Sequence, residues 1–227
     1  MTRRFSKFGL VAAAVGVLTA GAAYASPVSI YLVSGSATHS QQAPSGSNTI
    51  GFSSSNFGGW DVTYANGTSG SPSASPNSIN GGLDLGTLSA ACLNEAGCQA
   101  LTITVSDTGF TTPTNDFTLI GSNDQKNGQG MVQQTGWVNG NVIGTMTLTN
   151  SQTKTLVGGG IPTSMPYSLT LTDVLTPVCS NGVSTCNASF SFDGSITTVT
   201  EPGTLALFGA GLLGVGLLLR RRRARQE

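Results

Sequence analysis

Few side chains in this chain could do chemistry. There are four cysteines, one histidine and ten carboxylates in 227 residues. The cysteines form two close pairs. Cys92 and Cys98 enclose LNEAG, and Cys179 and Cys186 enclose SNGVST. Zinc motifs space their cysteines two to four residues apart. Spacers of five and six residues therefore point to two local disulfides rather than a four-cysteine metal site. Each small loop contributes roughly 2 to 2.5 kcal/mol in the chain-entropy account, and oxidised cysteines leave no thiolate nucleophile. His39 is the only histidine. A Ser-His-Asp triad needs a buried, oriented imidazole, but His39 lies in a Ser- and Gln-rich segment that reads as a solvated loop.

Paired carboxylates could hydrolyse a glycosidic bond. Between Ser26 and Val199 the acids are Asp61, Asp84, Glu95, Asp107, Asp116, Asp124, Asp173 and Asp193. The aspartates mostly flank Gly or Thr at expected strand ends, where Asp caps turns. Glu95 sits inside the first cysteine loop. The oxygen-rich stretch from Gly121 to Gly128 could hold calcium. It misses the EF-hand spacing and contains Lys126, so a plain hairpin loop is expected. Trp60, Tyr64 and Trp137 could stack on a sugar, although burial in a β core is the ordinary fate of such rings. Asn66-Gly67-Thr68 and Asn187-Ala188-Ser189 match the N-glycosylation pattern and read as chance matches. No catalytic site, cofactor or metal is expected.

The elements that must position these groups are strands. Short alternating runs separated by Gly, Pro, Asn and Ser are the pattern of an antiparallel β-protein. Expected strands are 28–33, 60–64, 101–105, 117–120, 142–149, 168–174 and 190–199. In Leu101-Thr102-Ile103-Thr104-Val105 and in Ser168-Leu169-Thr170-Leu171-Thr172, apolar residues face one side and threonines the other. Seven or more such strands predict an all-β, antiparallel β-sandwich-like body. Residues 34–55 and 67–82 read as long polar loops.

Charged residues make up 9% of the chain, against about 25% in ordinary globular proteins. They are also segregated. Residues 26–199 hold only Lys126 and Lys154 against eight acids, a net charge of −6. Such a body cannot neutralise phosphates, which excludes nucleic acid as a partner.

The remaining charge lies at the two ends. Arg3, Arg4 and Lys7 precede an apolar run to Ala23, followed by the small-x-small site Ala23-Tyr24-Ala25. This is the pattern of a signal peptide over 1–25, cut by signal peptidase before Ser26. Export places the cysteines where disulfides persist. At the other end, Glu201-Pro202-Gly203 leads into an unbroken apolar stretch, 204–219. Arg220, Arg221, Arg222 and Arg223 close it, with Arg225 beyond. A helix over 203–219 would rise about 25 Å, near the lower limit for a hydrocarbon core of about 30 Å. The Arg cluster stays cytoplasmic and leaves the body outside. Ala206, Ala210 and Gly214 share one helix face and permit close approach of another helix.

This tripartite end resembles the PEP-CTERM sorting signal of exported proteins in Gram-negative bacteria. The resemblance covers residues 199–225. It departs at one place, where Thr200 stands in Val199-Thr200-Glu201-Pro202 and the family pattern has proline. What the resemblance implies is recognition by exosortase, a membrane-embedded processing enzyme. It also implies an inner-membrane intermediate and delivery to the cell surface or extracellular matrix, in bacteria that make exopolysaccharide and biofilm. The expected organisation is a signal peptide at 1–25, a β-rich domain at 26–199 and a sorting signal at 200–227. The expected function is a non-enzymatic surface or matrix protein associated with exopolysaccharide. A carbohydrate-binding or adhesive module is the alternative, and an extracellular hydrolase comes third.

Overall fold

The computed structural model describes residues 27–44, 47–69, 81–93, 97–110, 116–127, 129–149, 151–159, 164–178 and 188–199. It contains twelve strands: β1 (Ser29–Ser34), β2 (Ala37–Gln42), β3 (Thr49–Phe57), β4 (Trp60–Ser69), β5 (Gly82–Cys92), β6 (Leu101–Phe110), β7 (Asp116–Asn127), β8 (Gln129–Val138), β9 (Asn141–Thr149), β10 (Gln152–Gly159), β11 (Tyr167–Val178) and β12 (Ser189–Val199). They pair antiparallel into two six-stranded sheets. Sheet A has the order β2-β1-β6-β11-β8-β9, and sheet B has the order β10-β7-β12-β5-β4-β3. The sheets pack face to face as a sandwich, with β2 running into β3 at one side and β9 into β10 at the other.

The two-residue period of the strands builds the core. Leu101, Ile103 and Val105 on β6 and Leu169, Leu171 and Leu175 on β11 are fully buried. The intervening threonines face outward, as the alternation predicts. Trp60, Phe110, Phe117, Phe190, Phe192 and Tyr167 fill the space between the sheets. Trp60 packs 5.8 Å from Phe190, ring centre to ring centre, and Phe110 stacks on Tyr167 at 5.6 Å. The indole N–H of Trp60 donates to the carbonyl of Gln99 at 2.9 Å. Cys92, at the end of β5, is bonded to Cys98. Cys92 is also the register partner of Trp60, so the disulfide is anchored on the strand beside the buried indole. The second expected pair, Cys179 and Cys186, lies outside the described residues.

Several loop assignments are corrected. The stretch 34–55 carries β2 and most of β3. β2 is an edge strand with no buried residue, so it lacks the apolar alternation by which a strand is recognised. In 67–82, β4 continues to Ser69 and β5 begins at Gly82. Gly121 to Asn127 is no hairpin loop but the second half of β7, held by backbone pairing to β12 on one side and, through Asn123, to β10 on the other. Among the described residues there is no helix long and apolar enough to cross a membrane. The expected helix at 204–219 lies outside them.

Candidate functional site

The outer face of sheet A is built from the residues that the strand period sends away from the core. Pairing aligns them into rows that cross all six strands. One row reads Ser40, Tyr31, Thr104, Thr172, Thr135 and Thr145, six hydroxyl-bearing side chains in succession. Five strand spacings give it a length of about 24 Å. The hydroxyls of Thr104 and Thr172 lie 3.3 Å apart, and those of Thr135 and Thr145 lie 3.2 Å apart. The next row reads Gln42, Ser29, Ser106, Thr170, Trp137 and Val142, with Ser29 and Ser106 bonded at 2.8 Å. Neither row contains an acidic or basic side chain.

Two aromatic rings bracket this field. Tyr31 is 44% exposed on β1, and Trp137 is half-buried on β8. They stand three strands apart, roughly 14 Å across the sheet. Of the three aromatics singled out in the sequence, Trp60 is a core residue with no exposure, and the Tyr64 side chain lies outside the described set. Trp137 is on the opposite sheet from Trp60, so these two rings share no platform, and Trp60 has the core burial expected of it. Tyr31 was missed because a single tyrosine in SIYLVS has no spacing signal. Only strand pairing brings it into line with Thr104.

A second site lies on the outer face of sheet B. A cleft of about 330 Å³ runs over β10, β7 and β12, and its lining includes Ser122, Asp124, Ser151, Thr153, Ser191 and Asp193. Register sets Asp124 beside Ser191 and Ser122 beside Asp193. The Ser151 hydroxyl donates to Asp124 at 3.2 Å. On the neighbouring strand β5, burial and the charge of Asp193 push the Asp84 carboxyl up to about 6.

The aspartates do not keep to strand ends. Asp107 and Asp173 are buried at 4% and 0% exposure, on the core faces of β6 and β11. Burial raises Asp107, while hydrogen bonds from Ser69 and the Thr108 backbone N–H hold it down. His39 lies on β2, not in a loop. Its ring sits 4.4 Å from that of Phe52, and its Nε2 bonds the exposed Gln41 side chain at 3.3 Å. Among the described residues no three His, Cys, Asp or Glu side chains group to hold a metal ion. Ala23, Ala25, Ser26, Glu95, Glu201, Pro202, Gly203 and Arg220 to Arg223 lie outside the described residues.

Residues 198–223 match the family model described as the PEP-CTERM protein-sorting motif. The chain carries a PEP-CTERM sorting signal. The motif implies an exported protein that is sorted through processing by exosortase at the membrane. No curated protein sequence matches the chain. Three solved structures are loosely similar to it. One is the CBM36-1 domain of a multidomain xylanase from the hindgut metagenome of Trinervitermes trinervoides, at 17% identity and TM-score 0.28, covering 49% of this chain and 78% of that one. Another is TmCBM61 in complex with β-1,4-galactotriose, at 7% identity and TM-score 0.33, covering 75% and 88%. The third is from infectious bursal disease virus, Gx strain, at 17% identity and TM-score 0.32, covering 78% and 51%. Overlaps this loose say nothing about a ligand of this chain.

Proposed function

We propose that this PEP-CTERM protein is a non-enzymatic component of the cell surface or extracellular matrix of a Gram-negative bacterium, where its β-rich domain at 26–199 associates with exopolysaccharide in the biofilm. The sorting motif supports export and processing at the membrane. The observation that supports the partner is the row from Ser40 to Thr145, with six hydroxyl-bearing side chains across one sheet face. Such a face exchanges hydrogen bonds with sugar hydroxyls, and Tyr31 and Trp137 add ring faces for stacking. With no acid or base in that row or its neighbour, the face suits a neutral polysaccharide better than a sulfated or phosphorylated one. The test is affinity electrophoresis of the mature protein through gels holding neutral or acidic glycans. Retardation by neutral glycans supports this reading, and free migration through every neutral glycan overturns it.

One observation favours a hydrolase as the second reading. Asp84, held up to about 6 by burial and by the charge of Asp193, lies on the strand paired with the one that carries Asp193, a residue of the sheet B cleft. Two carboxyl groups, one of them raised towards neutrality, are what glycoside hydrolysis requires. Release of reducing ends that disappears in Asp84→Asn and in Asp193→Asn would establish it. Their absence with the wild-type protein, across the glycans it binds, would eliminate it.

A further inference from the structure

Among the described residues, three buried polar side chains have no hydrogen-bond partner: Asn123 on β7, Gln134 on β8 and Asp173 on β11. Each is at most 1% exposed. Gln134 and Asp173 are direct register partners on the core face of sheet A. The Gln134 amide reaches across to sheet B, where it lies against Gly121 and Gly194. These two glycines are themselves register partners, so together they form a notch that receives the amide. Asn123 is two residues along β7 from Gly121 and faces the same side. Register thus sets Asp173 beside Gln134, and the Gln134 amide meets sheet B at Gly121, two residues along β7 from Asn123. Among the described residues no cation faces Asp173 from β6, β8, β5 or β12. The core-facing titratable groups on those strands and its own are Asp107 on β6 and Tyr167 on β11. Asp84, Asp124 and Asp193 point to the outer face of sheet B.

An ionised carboxylate in such a place would be uncompensated, and amides without partners are also costly. A neutral carboxylic acid removes the charge and supplies a donor. We propose that Asp173, Gln134 and Asn123 form a proton-held polar lock between the two sheets, and that loss of the proton loosens the sandwich. The sign follows from linkage. A folded state that keeps a proton the unfolded chain releases loses stability as pH rises. The decline begins near the ordinary aspartate value of about 3.9 and continues until the folded protein also releases the proton. Burial raises Asp173 well above that ordinary value. Asp84 behaves in the same way but is spent above about 6.

The test is urea unfolding of the mature protein from about pH 5 to about pH 9, a range spanning the usual stability maximum. The wild type should keep losing stability above about 6, by up to about tenfold in the unfolding equilibrium per pH unit. Asp84→Asn and Asp107→Asn should retain that decline, and Asp173→Asn should abolish it. Should Asp173→Asn fail to fold, infrared spectra of the Asp84→Asn/Asp107→Asn variant decide the matter. A protonated carboxyl band at neutral pH supports the lock. A flat wild-type profile above about 6, or no such band, overturns it.

Discussion

The hydroxyls of Thr104 and Thr172 meet at 3.3 Å across the β6–β11 pair, in the middle of sheet A. They come from segments 68 residues apart in sequence. A pair of this kind is worth roughly 0.2 to 1 kcal/mol to the sheet. Valine keeps the branched shape and the strand preference. The Thr104→Val/Thr172→Val variant should therefore fold, losing about 1 kcal/mol or less. It should also lose much of its retardation in neutral-glycan gels. Unchanged migration alongside a normal melting curve would remove this face from the binding surface.

Asp84 adds a pH dependence of its own that ends near 6. Its folded value of about 6 exceeds the unfolded value, so it favours folding most below about 3.9. That advantage is lost as pH climbs to about 6. Asp84→Asn should flatten the stability profile within this window and leave it unchanged above. Asp193→Asn should produce part of the same flattening, since the charge of Asp193 is the lesser cause of the shift. Chemical denaturation at closely spaced pH values measures both.

The Cys92–Cys98 bond closes a small loop. Cys92→Ser/Cys98→Ser should cost about 2 kcal/mol by the chain-entropy estimate, or roughly 4 to 8 °C in melting temperature for a domain of this size. Loss of order around Trp60 should accompany it, visible as a red-shifted tryptophan emission. Melting curves that coincide for variant and wild type would show that the loop is held by packing alone.

Gly121 should not tolerate a side chain. A Cβ there would lie 2.6 Å from the Gln134 Oε1 and 2.8 Å from a methyl of Leu148. Overpacking of this kind costs about 1 to 3 kcal/mol. Gly121→Ala should thus destabilise, and Gly121→Ala/Gln134→Ala should be less destabilised than the sum of its single changes. Strict additivity in a double-mutant cycle would mean that Gln134 does not occupy the notch.

The parts of the fold that could be read from sequence were those where one face is uniformly apolar. β6 and β11 alternate Leu, Ile and Val with Thr, and both were located within a few residues of their starts. β8 was not, because its core face carries Gln134 and Gly136 among Val132 and Val138. β5 was missed for a similar reason, since glycines and small residues interrupt GLDLGTLSAAC. β2 and β10 are edge strands with no fully buried residue, and their polar sequences resemble loops. The rows on sheet A could not be read at all. They depend on register between strands far apart in the chain, and no local pattern encodes register. The buried position of Asp173 was hidden for the same reason, since TLTDV reads equally well as the end of a strand.

β12 is a central strand of sheet B, hydrogen-bonded along its length to β5 and β7. The sorting motif begins at residue 198, while that strand is still running. Any pull transmitted through the tail during processing or attachment therefore enters the body along β12. The load falls in shear on two ladders of backbone hydrogen bonds at once, so they must fail together instead of unzipping one by one. In mechanical terms, the tail is fastened to a strand that is held on both sides.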